Sequence, residues 1–341
     1  MELNQDAQKS ILEAVKSKIE PAYSFVDELA DSLSISKDSA YRRIRGDTLF
    51  DIAEVEILTR KYDISLDQIF KLENSTVSFQ TESINADSFK FEDYLESVLT
   101  NLSIIQKLAE KELFYSARDI FPPHYYQIPE LSAFKIYFWL KSYVDHPLFR
   151  DLEFDLENLP QGLEASLEIA RRSWDAYMKI PSTEIWTYET ANITLRQIEY
   201  CYQAGHINQR DSQLLCEKFK ELTLHIKNET QIVRKYNLNS EALEEGASFN
   251  LYFNETAIGD NSILFKMGEK KMAFITYGSI NFLATADKKF CDIIDGHFQN
   301  TMKHAILISE TSDKIRNRFF KRVLNKIEIL SQRIAEMNDT F

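Results

Sequence analysis

The residues best suited to chemistry lie together in Ser36-Lys37-Asp38-Ser39-Ala40-Tyr41-Arg42-Arg43-Ile44-Arg45-Gly46-Asp47-Thr48. Read at a helical period, Ala40 and Ile44 fall four apart on one side of Lys37–Arg45. Lys37, Ser39, Arg42, Arg43 and Arg45 then occupy the other side with one acid, Asp38, a local charge of 4 − 1 = +3. Arginine can clasp a phosphate or donate two parallel hydrogen bonds to O6 and N7 of guanine, so this face predicts nucleic-acid binding. Residues at the start of such a helix reach base edges. Lys37, Asp38 and Ser39 are therefore the expected base readers, and Tyr41 and Arg42 readers or anchors. Arg43, Arg45 and Thr48 are expected on backbone phosphate, and Ser36, the cap of the helix, completes the set.

Other constellations are weaker. His297 and His304 lie seven apart with Cys291 upstream, but metal ligation needs a further ligand, and solvated or capping roles are expected for both histidines. Neither a G-x-S-x-G, a P-loop, a G-x-G-x-x-G nor an H-E-x-x-H occurs. The sequence thus predicts no catalytic residues, no metal and no cofactor, and a protein that is not an enzyme. Trp139, Trp174, Trp186 and the run LSAFKIYFWLKSY read as core in preference to a ligand pocket.

Composition narrows the classes further. With 44% hydrophobic and 12% aromatic residues the chain can build real cores, and only 8 Gly and 7 Pro point to long helices with few tight turns. No run of 18 apolar residues occurs and the start is polar, so no membrane partner is expected. Cys201, Cys216 and Cys291 are sparse and unevenly spaced, which suits buried thiols in a reducing cytoplasm. The net charge of -13 opposes phosphate binding, and residues 1–75 hold ten Lys/Arg against fifteen Asp/Glu. Any DNA contact must therefore come from a local basic face.

The elements that would position that face are legible. Val26–Leu33 is a short amphipathic helix turning Leu29, Ala30 and Leu33 inward, Ile35 plugs the turn, and Gly46 stops the next helix. Small Ala30 and Ala40 let the two helices cross closely. Leu29-Ala30, Ile35-Ser36, the cationic stretch and Gly46 fall at a spacing that resembles the Cro/C1 (phage-repressor-like) helix-turn-helix family. The segment DIAEVEILTRKYDISLDQIF is similar to that family's fourth and fifth helices, with Ile52, Val55, Leu58, Tyr62, Ile64, Leu66 and Phe70 closing the core. The resemblance covers about a fifth of the chain. It implies a five-helix domain whose third helix enters the major groove, usually as a dimer. The family often has Gly where this chain has Ser34, and Gln where it has Val26.

Beyond residue 73 the sequence predicts a polar Ser/Thr-rich linker over 74–88, a helical domain over 89–240 and an α+β module over 241–341. Pro181-Ser182-Thr183-Glu184 looks like a helix start. Phe249, Leu251 and Phe253 alternate with Asn250, Tyr252 and Asn254, the period of a half-buried strand, and Gly268-Glu269-Lys270 joins two further alternating runs, predicting a small antiparallel sheet. Phe320, Val323, Ile327, Leu330, Ile334 and Met337 form a heptad seam that suits either a homodimer or an intramolecular core. The expected class is mostly α, with a helix-turn-helix domain (1–73), a helical middle domain and that C-terminal module. The expected function is a sequence-specific DNA-binding transcriptional regulator, a homodimer on double-stranded DNA with a small-molecule or protein effector. The rival is a helical protein–protein interaction scaffold that binds no DNA.

Overall fold

The computed structural model describes residues 2–19, 24–70, 77–81, 89–116, 118–160, 163–238, 240, 246–256, 262–277 and 281–337. They divide into two compact units, Met1–Ser78 and Phe79–Phe341.

The first unit contains α1 (Glu2–Lys18), α2 (Phe25–Leu33), α3 (Lys37–Arg45), α4 (Ile52–Tyr62) and α5 (Leu66–Phe70). Each of the middle three starts on a residue whose side chain takes an otherwise free backbone N–H: Ser24 from Asp27, Ser36 from Ser39, and Asp51 from Glu54. Ile11, Leu12 and Val15 of α1 pack with Leu29, Ala30 and Leu33 of α2, Ala40 of α3 and Leu58 of α4. Ile35, Ile44, Val55, Tyr62, Ile64 and Leu66 lie against this core, but Ile52 is 89% exposed and Phe70 37% exposed. The expectation that these two close the core is therefore corrected. Ile52 is the first residue of α4 and Phe70 the last of α5, positions where a helix has only just entered or is already leaving the packed layer.

The second unit is built on a seven-stranded mixed sheet, in the order β6-β5-β4-β1-β2-β3-β7. Its strands are β1 (Glu112–Ser116), β2 (Ser182–Trp186), β3 (Phe249–Phe253), β4 (Ser262–Met267), β5 (Lys270–Tyr277), β6 (Asn281–Thr285) and β7 (Ile306–Leu307). The central strands β1, β2 and β3 run parallel, and every other pairing is antiparallel. This corrects the small antiparallel sheet expected at the C-terminus. Two strands come from the stretch read as helical, and Pro181-Ser182-Thr183-Glu184 leads into β2, not a helix. The reason is burial. All five residues of β2 and four of five in β1 are buried, so neither carries the inside–outside alternation that betrays a half-buried strand. The β4–β5 hairpin turns where expected, with Met267 opposite Lys270 across Gly268 in a left-handed conformation (φ 57°).

Helices cover both faces of the sheet. On one side pack α6 (Phe91–Ile105), α8 (Pro129–Trp139, continued by a π-helical turn Leu140–Val144), α9 (Leu163–Tyr177), α10 (Asn192–Gln203), α11 (Gln209–Ile232) and α13 (Asp313–Glu336), along with the short α7 (Pro122–Tyr125). On the other, Phe114, Ile185, Leu264 and Ala273 meet Cys291 and Phe298 of α12 (Lys288–His304). Of the heptad seam, Phe320, Val323, Ile327, Leu330 and Ile334 are at most 3% exposed inside this single chain, while Met337, just past the end of α13, is 37% exposed. It is a core seam of the unit, running along α11. Trp139, Trp174 and Trp186 are core as well, and the three cysteines are buried and free.

Of the Ser/Thr-rich stretch read as a linker, residues 74–76 and 82–88 lie outside the described residues. Within it, Gln80 bridges to Ala284 by two backbone hydrogen bonds of 2.7 and 2.8 Å, extending the open edge of β6. Phe79 sets its ring edge-on to Phe290, 5.1 Å away. Among the described residues no helix is long and apolar enough to cross a membrane.

Candidate nucleic-acid interface

The turn between α2 and α3 is made by Ser34, which adopts the left-handed conformation (φ 53°) and donates its N–H back into α2. Ile35 follows with a 3.0 Å bond from its N–H to the Ala30 carbonyl. Ala30 and Ala40, 5% and 0% exposed, lie in the core where the two helices meet. Gly46 closes α3 in the left-handed region (φ 79°). A residue the sequence did not single out then fixes the loop beyond α3. Gln8 of α1, 5% exposed, donates to the carbonyls of Arg43 (2.7 Å) and Thr48 (2.9 Å), and its Oε1 accepts the Phe50 N–H (2.6 Å). One buried amide with its donors and acceptor all engaged is a rigid staple. A lone Gln on a predicted helix face carries no signal of that role.

Ser36, Lys37, Asp38, Tyr41, Arg42 and Arg45 are exposed, while Ser39, Arg43 and Thr48 are half-buried. Each cation of the set holds an acid. Lys37 meets Asp27 at 2.8 Å, Arg42 meets Asp38 at 3.3 Å and Arg45 meets Asp47 at 3.0 Å, all between exposed side chains. The Asp27 hydrogen bond holds the Lys37 ammonium above its ordinary pKa. Such exposed pairs contribute at most about 1 kcal/mol, so an incoming phosphate can replace the carboxylate at little cost. Arg43 differs. Its guanidinium forks onto both oxygens of Glu54 (Nε 3.0 Å, second nitrogen 2.5 Å), and the two side chains are 16% and 12% exposed. Glu54 also accepts the Asp51 N–H at 3.2 Å, completing the capping box of α4. Arg43 thus ties α3 to the start of α4, whereas Lys37, Tyr41, Arg42 and Arg45 are presented to solvent.

The second unit holds a buried polar cluster that the sequence gave no reason to assemble. The Glu184 carboxylate accepts from Tyr177 (2.5 Å) and Trp186 (2.7 Å) and lies 2.8 Å from Nε2 of His124. Burial works to raise the Glu184 pKa, but His124, Tyr177 and Trp186 outweigh it and hold the carboxyl below its ordinary value. Lys235 donates to the Ile180 carbonyl (2.5 Å) and Ser182 Oγ (2.6 Å) over the face of Tyr177. Burial brings its pKa down to about 7, against the pull of Glu184 and Glu229. Every member of this cluster is essentially inaccessible to solvent. It organises the core where β2, α7, α9 and α11 meet. His297 and His304 are exposed on α12 while Cys291 is buried beneath it, so these three described side chains do not converge. An open groove of about 570 Å³ is lined by Pro129, Leu156, Leu159, Arg210 and Leu214 among others. No protein-family model, curated protein or solved structure matches the chain.

Proposed function

We propose that the protein is a sequence-specific transcriptional regulator of the cytoplasm, not an enzyme, and that its first unit reads duplex DNA through α3. The observation that carries this reading is the presentation of Lys37, Tyr41, Arg42 and Arg45 on a helix capped by Ser36 and Gly46 and packed on α2 through Ala40. A helix of this kind fits the major groove, with its first turn at the base edges. Lys37, Asp38 and Ser39 would read bases. Arg42 would exchange Asp38 for a phosphate or a guanine, and Arg45 would exchange Asp47 for a phosphate. Tyr41 offers an apolar edge to a thymine methyl. Arg43 contributes by holding the helix in place. Two copies on a two-fold site would space their α3 helices one DNA turn, about 34 Å, apart. The pairing surface is then not the α13 seam, which its own chain already buries. The second unit is the natural place for an effector or partner to act. Three free buried cysteines suit a reducing compartment.

The rival reading, a protein-binding scaffold, draws support from one observation: every cation on α3 already has an acidic neighbour. Titrating salt against binding of the full-length protein to a random-sequence duplex separates the two. A DNA reader loses affinity steeply and log-linearly as salt rises, and Arg42→Ala weakens it. A scaffold gives no binding and no slope, and that result would end the regulator reading.

A further inference from the structure

Among the described residues, the solvent face of α13 carries a run of cations with few carboxylates against it. Between Lys314 and Lys326 the sequence holds six Lys/Arg and no Asp or Glu, in a chain of net charge -13. Burial of the seam Phe320–Val323–Ile327 turns the opposite face outward, and Lys314, Asn317, Arg318, Lys321, Arg322 and Asn325 are all exposed. Arg316 is spent internally on the Ile308 carbonyl and Asp313. Among the described residues, neither Lys314 nor Lys321 has a carboxylate within ion-pair distance. Arg318 reaches one, Glu255, only at 3.9 Å and with both side chains more than 60% exposed. Arg322 lies over the Tyr188 ring, 4.0 Å from its centre, leaving its guanidinium edge free to donate. Burial chiefly depresses the pKa of the neighbouring Lys326, with Glu189 opposing and Arg322 and Arg196 adding to the shift.

We propose that this face binds the phosphate backbone of duplex DNA, as a sequence-independent contact additional to α3. Lys314 to Arg322 span about 12 Å of helix at 1.5 Å per residue, a length along which duplex DNA carries on the order of seven charges. The cations and the two asparagines are the donor types that grip phosphate oxygens without reading sequence. A lipid surface fits less well, because the stripe from Lys314 to Asn325 shows no exposed large apolar side chain to enter a bilayer. The contrast with α3 gives the face its role. There each cation must first give up a carboxylate and the unit carries excess acid, so the α13 face would add to the non-specific affinity that α3 supplies. The inference rests on the DNA-reading assignment of the first unit.

The test uses the full-length protein and two variants, Lys314→Gln/Arg318→Gln/Lys321→Gln and, separately, Arg42→Ala. All four side chains are exposed, and the urea midpoint followed by tryptophan fluorescence checks that the second unit is intact. Binding to a random duplex is measured across a range of salt. If the α13 face grips DNA, the triple variant loses about 2.7 from the log–log salt slope, 0.9 per phosphate contact. Binding of the wild type to phosphatidylserine vesicles stays weak. A triple variant with an unchanged slope, while Arg42→Ala still weakens binding, overturns this inference alone. A wild type that ignores duplex DNA at low salt overturns both readings. Vesicle binding that the triple substitution abolishes, with the DNA slope untouched, would reassign the face to lipid and also defeat the proposal.

Discussion

Removing the Glu54 carboxylate should loosen the hold of α4 on α3 far more than removing any other acid beside α3. Glu54→Ala deletes two hydrogen bonds from Arg43 and the return half of the capping box at Asp51. A charge-assisted pair with both partners largely out of solvent contributes about 1.5–3 kcal/mol, and loss of half a cap about 0.5–1 kcal/mol. The sum, about 2–4 kcal/mol, is a large share of what a unit this small can hold. A double-mutant cycle with Arg43→Ala isolates the pair, for which we expect a coupling of about 2 kcal/mol. The exposed Lys37–Asp27 pair, treated in the same way, should give under about 1 kcal/mol. Because all three tryptophans lie in the second unit, the readout is peptide-resolved hydrogen exchange over α3 and α4 in the full-length chain, which reports local opening free energy. Equal couplings for the two pairs would refute the argument. So would an Arg43→Ala variant that keeps its protection but loses about one from the DNA salt slope, since Arg43 would then be a phosphate contact and not a tether.

Three further outcomes follow from the geometry. Ser34→Gly, which relieves a left-handed serine whose side chain the fold does not need there, should raise protection of α2 and α3 by up to about 1 kcal/mol; a loss instead would show that the hydroxyl matters. Ile327→Ala, at a site 1% exposed, should cost about 2–5 kcal/mol in urea unfolding followed by tryptophan fluorescence and leave sedimentation unchanged; a shift in oligomeric state at constant stability would return the seam to the dimer reading. Lys235 sets the sign of a pH dependence. Its folded pKa is lowered to about 7 from 10.5, so between these values the unfolded chain binds the extra proton and stability rises with pH. From pH 7 to 9 the gain from this one group is about 2 kcal/mol, present in wild type and absent from Lys235→Met; parallel pH profiles for the two proteins would contradict the assignment.

How much of this was legible beforehand depended on where each signal resides. The α2–turn–α3 geometry was readable because its determinants are local. Ser36 and Gly46 cap α3 through their own backbone neighbours, and the i, i+4 pair Ala40 and Ile44 marks the inward side whatever the rest of the chain does. The alternation in β3 and the turn at Gly268 were readable for the same reason. The strands β1 and β2 were not. In β1 and β2 both faces are covered, so ELFYS and STEIW carry no period, and Ser-Thr-Glu after proline has the composition of a helix start.

Sequence by itself thus determined which residues could cap, cross and carry charge, because those properties act within one or two turns of chain. Only the tertiary structure decided which charges are free. Arg43 and Arg42 are adjacent and chemically identical, yet one is clasped by Glu54 from another helix and the other lies in solvent. In the same way the heptad of α13 is silent about its partner until α11 supplies it, and the cationic face exists because that burial turns Lys314, Arg318 and Lys321 outward. Partnership over long chain separations is a matter of packing, which no local spacing encodes.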